Sequence, residues 1–220
     1  MTEFAPIPQM EPWFDQAEAD ALHAYMMSGG WVTEFRQTQA FEESLRDFTG
    51  AKHCIVTNNG TISLTLALLA LGVEAGDEVI TPDLTMIATP NAARLIGAVP
   101  VFVDIEAETL NIDIDQAAAA IGPKTAAVIH VSFNGRCNDI ARLRDLCRAK
   151  GLALIEDSAQ ALGCYRGGRH LGTTGGIGSF SFSAPKVIST GQGGALITDD
   201  DDIAARLRKL KDFGRLGGGN

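Results

Sequence analysis

From about residue 53 the chain alternates short apolar, β-branched runs with segments whose apolar positions recur at helical spacing. The runs at 53–57, 78–81, 99–104, 126–131, 152–156, 178–183 and 195–198 predict seven strands. Helical patterns lie between them at 61–71, 85–96, 113–120, 139–149 and 201–212, several opened by Asp or Thr near the first turn. Gly72, Gly97 and Gly151 stand where helices should stop. Strands alternating with helices predict an α/β fold, a mostly parallel seven-stranded sheet flanked by helices. Ahead of this block, 37–49 places Phe41, Leu45 and Phe48 on one helical face, and the segment before it reads as extended or irregular. The expected organisation is an N-terminal segment, 1–36, packing on the main domain or a partner subunit, and one large domain, 37–220. No internal repeat is found, and the one biased tract, 217–219, reads as the start of a loop.

Composition narrows the class. With 220 residues, 45% hydrophobic and 20% charged, the chain is long enough for one sizeable core. Its net charge of -9 and the lack of any Lys/Arg block argue against a nucleic-acid partner, because phosphate binding needs clustered cations. There is no apolar run long enough to span a bilayer, and the amino end carries Glu3, Glu11, Asp15, Glu18 and Asp20 instead of a basic, apolar signal segment. A cytoplasmic protein without membrane contact is expected. Cys54, Cys137, Cys147 and Cys164 form no C-x-x-C pair and read as reduced, buried small hydrophobes, with no metal site.

In an open parallel sheet, ligands bind beyond the carboxyl ends of the strands, so the residues just after each strand carry the chemistry. After the first strand comes Asn58-Asn59-Gly60-Thr61, a glycine that lets backbone approach an anion and a hydroxyl at a helix start. A phosphate seat and a simple capped turn fit it equally. After the fifth strand, Glu156-Asp157-Ser158-Ala159-Gln160 puts carboxylates beyond four apolar residues. A buried acid there calls for a cationic partner such as a protonated pyridine nitrogen, and the plain alternative is a helix-capping aspartate. In the sixth strand Phe180 and Phe182 face one side and Ser179, Ser181 and Ser183 the other, so Ser181 can add a hydroxyl for phosphate. Lys186 comes next among apolar neighbours, ahead of Gly191-Gln192-Gly193-Gly194. Desolvation there would favour the neutral amine that attacks an aldehyde; the alternative is a surface lysine on a turn.

Gly60-Thr61, Glu156 to Gln160, Ser179-Phe180-Ser181, Lys186 and Gly191 to Gly194 together resemble the DegT/DnrJ/StrS family of pyridoxal 5'-phosphate (PLP)-dependent sugar aminotransferases, and the likeness covers nearly the whole chain. Further similar stretches are Gly76-Asp77-Glu78-Val79-Ile80 with Pro82, Ala88-Thr89 to Asn91-Ala92, Pro100 to Asp104, and His130 with Gly135 and Asp139-Ile140. The resemblance implies the large domain of a fold-type I PLP transferase, with Lys186 as the catalytic lysine that condenses with the cofactor aldehyde. It implies that Asp157 pairs with the pyridine nitrogen, that Gln160 lies near the ring hydroxyl, and that Thr61, Ser181 and the Gly60 N–H hold phosphate. Met86 stands where many members carry an aromatic against the ring. His130 stays outside the catalytic set, as a hydrogen-bonded core residue.

The implied reaction moves an amino group from L-glutamate to a nucleotide-linked keto-deoxysugar, in amino-sugar biosynthesis for surface polysaccharide. Within the family, 180–194 is most similar to enzymes acting on GDP-linked sugars. A relative that dehydrates at C-3 has histidine in place of the lysine, so Lys186 favours transamination. Members of the family normally carry a further C-terminal domain that closes the sugar site and completes a homodimer. This chain is expected to lack it; if these 220 residues are the entire product, PLP binding is expected to survive while turnover is poor or absent. The rival readings are a non-catalytic PLP-binding remnant and a structural subunit that pairs with a complete homologue. A nicotinamide site is disfavoured, since no G-x-G-x-x-G comes after the first strand.

Overall fold

The computed structural model describes residues 8, 10, 11, 13–29 and 36–215. The 217–219 tract and much of the amino-terminal segment lie outside them. In chain order the elements are α1 (Gln16–Met27), α2 (Arg36–Thr49), β1 (His53–Thr57), α3 (Gly60–Ala70), β2 (Glu78–Pro82), α4 (Ala88–Leu95) and β3 (Val99–Val103). They continue with α5 (Ile114–Ala120), β4 (Thr125–Val131), α6 (Ile140–Lys150), β5 (Ala153–Asp157), β6 (Tyr165–Arg166), β7 (Arg169–His170), β8 (Ile177–Ser181), β9 (Gly194–Thr198) and α7 (Asp201–Lys211).

Seven strands form one sheet in the order β1-β9-β8-β5-β4-β2-β3, and β6 and β7 pair as a separate small hairpin. The pairings β5–β8, β4–β5, β2–β4 and β2–β3 are parallel, while β9 runs antiparallel to both β8 and β1. Six strands therefore point the same way, and the carboxyl ends of β1, β2, β4, β5 and β8 emerge at one edge.

The apolar strand runs reflect burial on both faces. On one face Ile55, Val79, Ile129, Ile155, Ile177 and Leu196 pack with Leu64 and Leu68 of α3, Ala92 and Ala93 of α4, and Leu207 of α7. On the other, Ile80, Val128 and Leu154 meet Ile114 of α5 and Ile140, Leu143 and Cys147 of α6, while Phe180 and Ile197 meet Leu45 of α2. Asp113, Asp139 and Asp200 cap α5, α6 and α7 through their side chains, which satisfies amide N–H groups that have no intrahelical acceptor. Gly151 ends α6 in the left-handed region at φ +69°, a conformation other residues enter only with strain.

Several expectations need correction. The segment before residue 37 is not all irregular: α1 occupies part of it, started by a reciprocal capping box between Asp15 and Glu18. None of its residues is buried, so it carries no apolar stripe by which spacing would reveal it. The helix expected from residue 85 begins at Ala88, leaving Thr85 and Met86 in the turn before it. The strand expected to reach residue 183 ends at Ser181. All four cysteines are free; Cys54 and Cys147 are buried as expected, but Cys137 and Cys164 are only half-buried.

Candidate active site

Four connections meet at the common strand edge and enclose a cavity of about 470 Å³, within the range of small-molecule sites. After β1 the chain turns directly into α3. Asn59 caps this helix, its Oδ1 accepting the Ile62 N–H at 2.9 Å. Gly60 and Thr61 are the first helical residues, so their N–H groups have no carbonyl four residues back to donate to and stand at the positive end of the helix dipole. The turn packs against the sheet with no room to spare. A methyl on Gly60 would lie 2.8 Å from Ser181 Cβ, and one on Gly194 would lie 2.6 Å from the Asn59 carbonyl. Glycine at 60 is thus required by a close approach that brings Ser181 beside the helix start.

Asp157 ends β5. It is 6% exposed, and its carboxylate accepts hydrogen bonds from Thr89 Oγ1 at 2.7 Å and from the Ala159 N–H at 3.2 Å. Burial pushes its pKa above the usual carboxylate range, against the lowering effect of those two donors and of Lys186. Lys186 lies on the loop after β8, in a turn closed by its N–H to the Ser183 carbonyl. That loop folds back on itself, Thr190 N–H reaching the Phe182 carbonyl at 2.9 Å and Phe182 N–H the Gly193 carbonyl at 2.8 Å. Half-buried, Lys186 has its pKa lowered by desolvation, an effect the Asp157 charge opposes. Gln160 accepts the Asn134 N–H through Oε1 at 2.8 Å. That bond pins the carbonyl end and leaves the amide N–H₂ available to the cavity.

All seven expected residues, Gly60, Thr61, Met86, Asp157, Gln160, Ser181 and Lys186, line this one cavity. So do Asn59, Thr85, Val131, Ala159, Ser183 and Gln192, to which no site role was given from the sequence. Thr89 and Asn134 were missed as partners of Asp157 and Gln160. Thr85, in the turn before α4, and Thr89, in its first turn, stand four apart, a spacing that in a helical reading hints at stacked hydroxyls, whereas nothing in the sequence points to Asn134. His130 is not among the lining residues. It is fully buried and pairs through Nε2 with Asn138 Oδ1 at 3.1 Å, and burial lowers its pKa to about 4.

The expectation that a buried acid needs a cation fails for Glu156. Its carboxylate, on the opposite face of β5 from Asp157, accepts three backbone N–H groups: Gly172 at 2.7 Å, Thr174 at 2.6 Å and Gly175 at 2.5 Å. Burial still raises its pKa.

An anion seat, a buried acid and a desolvated amine around one cavity suit a planar heterocycle that carries a phosphate and an aldehyde. Fold and site together define the large domain of a fold-type I PLP-dependent transferase. The chain belongs to the DegT/DnrJ/EryC1/StrS aminotransferase family, whose model matches residues 14–219. It is 39% identical over 212 residues to GDP-perosamine synthase of Vibrio cholerae, covering 96% of this chain and 58% of that protein. The chain thus spans little more than half the length of that relative. Among solved structures it is similar to an aminotransferase from Psychrobacter cryohalolentis (TM-score 0.89, 36% identity, covering 93% of this chain and 52% of that one). It is also similar to DesI, solved in the presence of its TDP-sugar product (TM-score 0.86, 40% identity, covering 92% and 52%).

Proposed function

We propose that this chain is the PLP-binding part of an aminotransferase that moves an amino group from L-glutamate to a nucleotide-linked keto-deoxysugar, GDP-linked, in amino-sugar biosynthesis for surface polysaccharide. The observation that carries this reading is that Lys186 and Asp157 face one cavity with the Gly60–Thr61 helix start and Ser181. The Gly60 N–H and the Thr61 and Ser181 hydroxyls would hold the phosphate, where a helix terminus favours negative charge. Asp157 would pair with the ring nitrogen, the Gln160 amide would donate to the ring hydroxyl, and Met86 would lie against the ring face. When bound, PLP supplies an aldehyde for amine exchange and a protonated ring that withdraws electrons.

The chain's own residues do the rest. The depressed pKa of Lys186 keeps a larger fraction of its amine neutral, the form able to attack a carbonyl and later to carry a proton to or from the substrate carbon. Asp157 holds negative charge where a ring cation needs it, and Val131 and Ala159 give that part of the cavity apolar walls that exclude water. The GDP preference is supported by the likeness to GDP-perosamine synthase, while DesI was solved with a TDP-sugar, so both nucleotide classes belong in a substrate screen. A homodimer, a cytoplasmic location, and a domain at 37–220 preceded by a docking segment at 1–36 go with this reading. Among the described residues no helix is long and apolar enough to cross a membrane.

The test is absorption spectroscopy of the chain with PLP, before and after L-glutamate, then borohydride reduction and peptide mapping. The expected result is a visible band that glutamate converts to that of the amine form, and a reduced label on Lys186 that Lys186→Ala abolishes. A label elsewhere, or none, overturns the assignment. Binding without conversion by glutamate would favour a non-catalytic remnant.

A further inference from the structure

The Asp157 carboxylate does not stand alone at the end of β5. Thr89, fully buried in the first turn of α4, donates its hydroxyl to Asp157 Oδ2 at 2.7 Å. Its oxygen is in turn 2.8 Å from Thr85 Oγ1, four residues earlier in the turn before α4, and Thr85 lines the cavity. A hydroxyl has one proton. While Asp157 is anionic, the Thr89 proton is committed to Oδ2, so Thr85 must be the donor to Thr89. The two threonines and the carboxylate then form a directional chain from the cavity wall to the buried acid. No other side chain among the described residues shares the task. Ser179, opposite Asp157 in the strand register, is buried with its hydroxyl unpartnered, and the remaining donor is the Ala159 N–H.

In the sheet order β4 lies between β2 and β5, so this bond ties the start of α4, the helix after β2, across β4 to the end of β5. It also fixes the turn that carries Met86, since the Thr89 N–H bonds the Met86 carbonyl at 3.0 Å. We propose that Thr89, backed by Thr85, is a positioning residue for the cofactor ring: its hydroxyl holds the Asp157 carboxylate at one angle, as an anion, so that the acid can pair with a protonated ring nitrogen. The proposal rests on the PLP reading above. A charge-assisted hydrogen bond is about twice as strong as a neutral one, and its loss also leaves a buried carboxylate oxygen unpaired.

The experiment loads the wild-type chain and the Thr89→Val, Thr89→Ser and Thr85→Val variants with PLP carrying ¹⁵N in the ring, and reads the nitrogen chemical shift and the PLP dissociation constant. The wild type should show a protonated ring nitrogen. Thr89→Val, which keeps the branched shape and loses the hydroxyl, should lower the protonated fraction and raise the dissociation constant about tenfold. Thr89→Ser should restore both, and Thr85→Val, whose site opens to the cavity and threatens the fold less, should shift both in the same direction by about threefold. If Thr89→Val does not fold, Thr85→Val decides alone. Wild-type values in Thr85→Val, or in Thr89→Val, overturn the proposal, as does a Thr89→Ser variant as impaired as the valine. A wild-type chain with neither a visible band nor a borohydride label on Lys186 instead sinks the PLP reading beneath it.

Discussion

Replacing Gly60 by alanine tests the contact on which the phosphate seat depends. The new methyl would stand 2.8 Å from Ser181 Cβ and 3.2 Å from its Oγ, closer than carbon atoms pack. Gly60 opens α3 and Ser181 ends β8, so relief requires the helix start and the strand end to part. Overpacking of this kind costs about 1–3 kcal/mol. Against it stands a gain of about 0.4–1 kcal/mol from restricting the unfolded chain, because Gly60 has no positive φ and alanine fits its backbone. The net should be a loss of roughly 1–2 kcal/mol, a fall in melting temperature of about 2–8 °C for a domain of this size. Ser181→Gly removes the obstructing atoms and leaves Ser181 Cα, 3.5 Å away, as the nearest neighbour. Alone it should cost about 0.5–1 kcal/mol as a strand glycine, yet in the double variant it should return about 1 kcal/mol or more of favourable coupling. PLP affinity should fall in both single variants and stay low in the double one, which has recovered its packing but not its hydroxyl. Strict additivity of the melting free energies, or Gly60→Ala as stable as the parent, would refute the reasoning.

Two further outcomes concern buried groups away from the cavity. His130 is held neutral, its pKa lowered by burial from 6.5 to about 4, so the unfolded chain takes up a proton in a range where the folded one does not. The stability it contributes is complete above pH 6.5 and lost as pH falls to about 4, about 3 kcal/mol in all. Because the raised pKa values of Asp157 and Glu156 act in the opposite sense, the measurement is the difference between wild type and His130→Gln in denaturant melts across that range, and a flat difference contradicts it. Glu156→Gln should cost about 1–3 kcal/mol of unfolding free energy and so lower the denaturation midpoint, since an amide N–H₂ would face backbone N–H donors of the 172–175 turn; an unchanged midpoint would show those bonds to be dispensable.

The strands were legible because β4 and β5 are packed on both sides, which gives each an unbroken apolar run, 126–129 and 153–155, with its polar residues at or near the strand ends. Helix α1 was not, since with no buried face it has no apolar stripe, although its Asp15…Glu18 start signal was in plain view. The β6–β7 hairpin was missed despite a Gly167-Gly168 turn, because two-residue strands carry no period to detect. Site positions could be found among the residues just past the carboxyl end of each strand. Their hydrogen-bond partners could not, for Thr89 is 68 residues from Asp157 and Asn134 is 26 from Gln160.

Glu156 and Asp157 show where sequence reasoning stops and geometry takes over. They are adjacent acids in one strand end, both buried, both with pKa raised by desolvation, and from the apolar spacing alone, without the family resemblance, either could have been the one awaiting a cation. Alternation sends them to opposite faces of the sheet. On the face it shares with Leu154, Glu156 finds three backbone N–H groups and is spent as a structural staple for the turn that leads into β8. On the cavity face Asp157 receives one hydroxyl and one longer amide bond, and no cation forms an ion pair with it among the described residues. A carboxylate offers about four lone-pair positions. The under-satisfied acid is therefore the one beside the open space, where a charged ligand stabilises it and where the cost of holding it there without a ligand is a property a binding site requires.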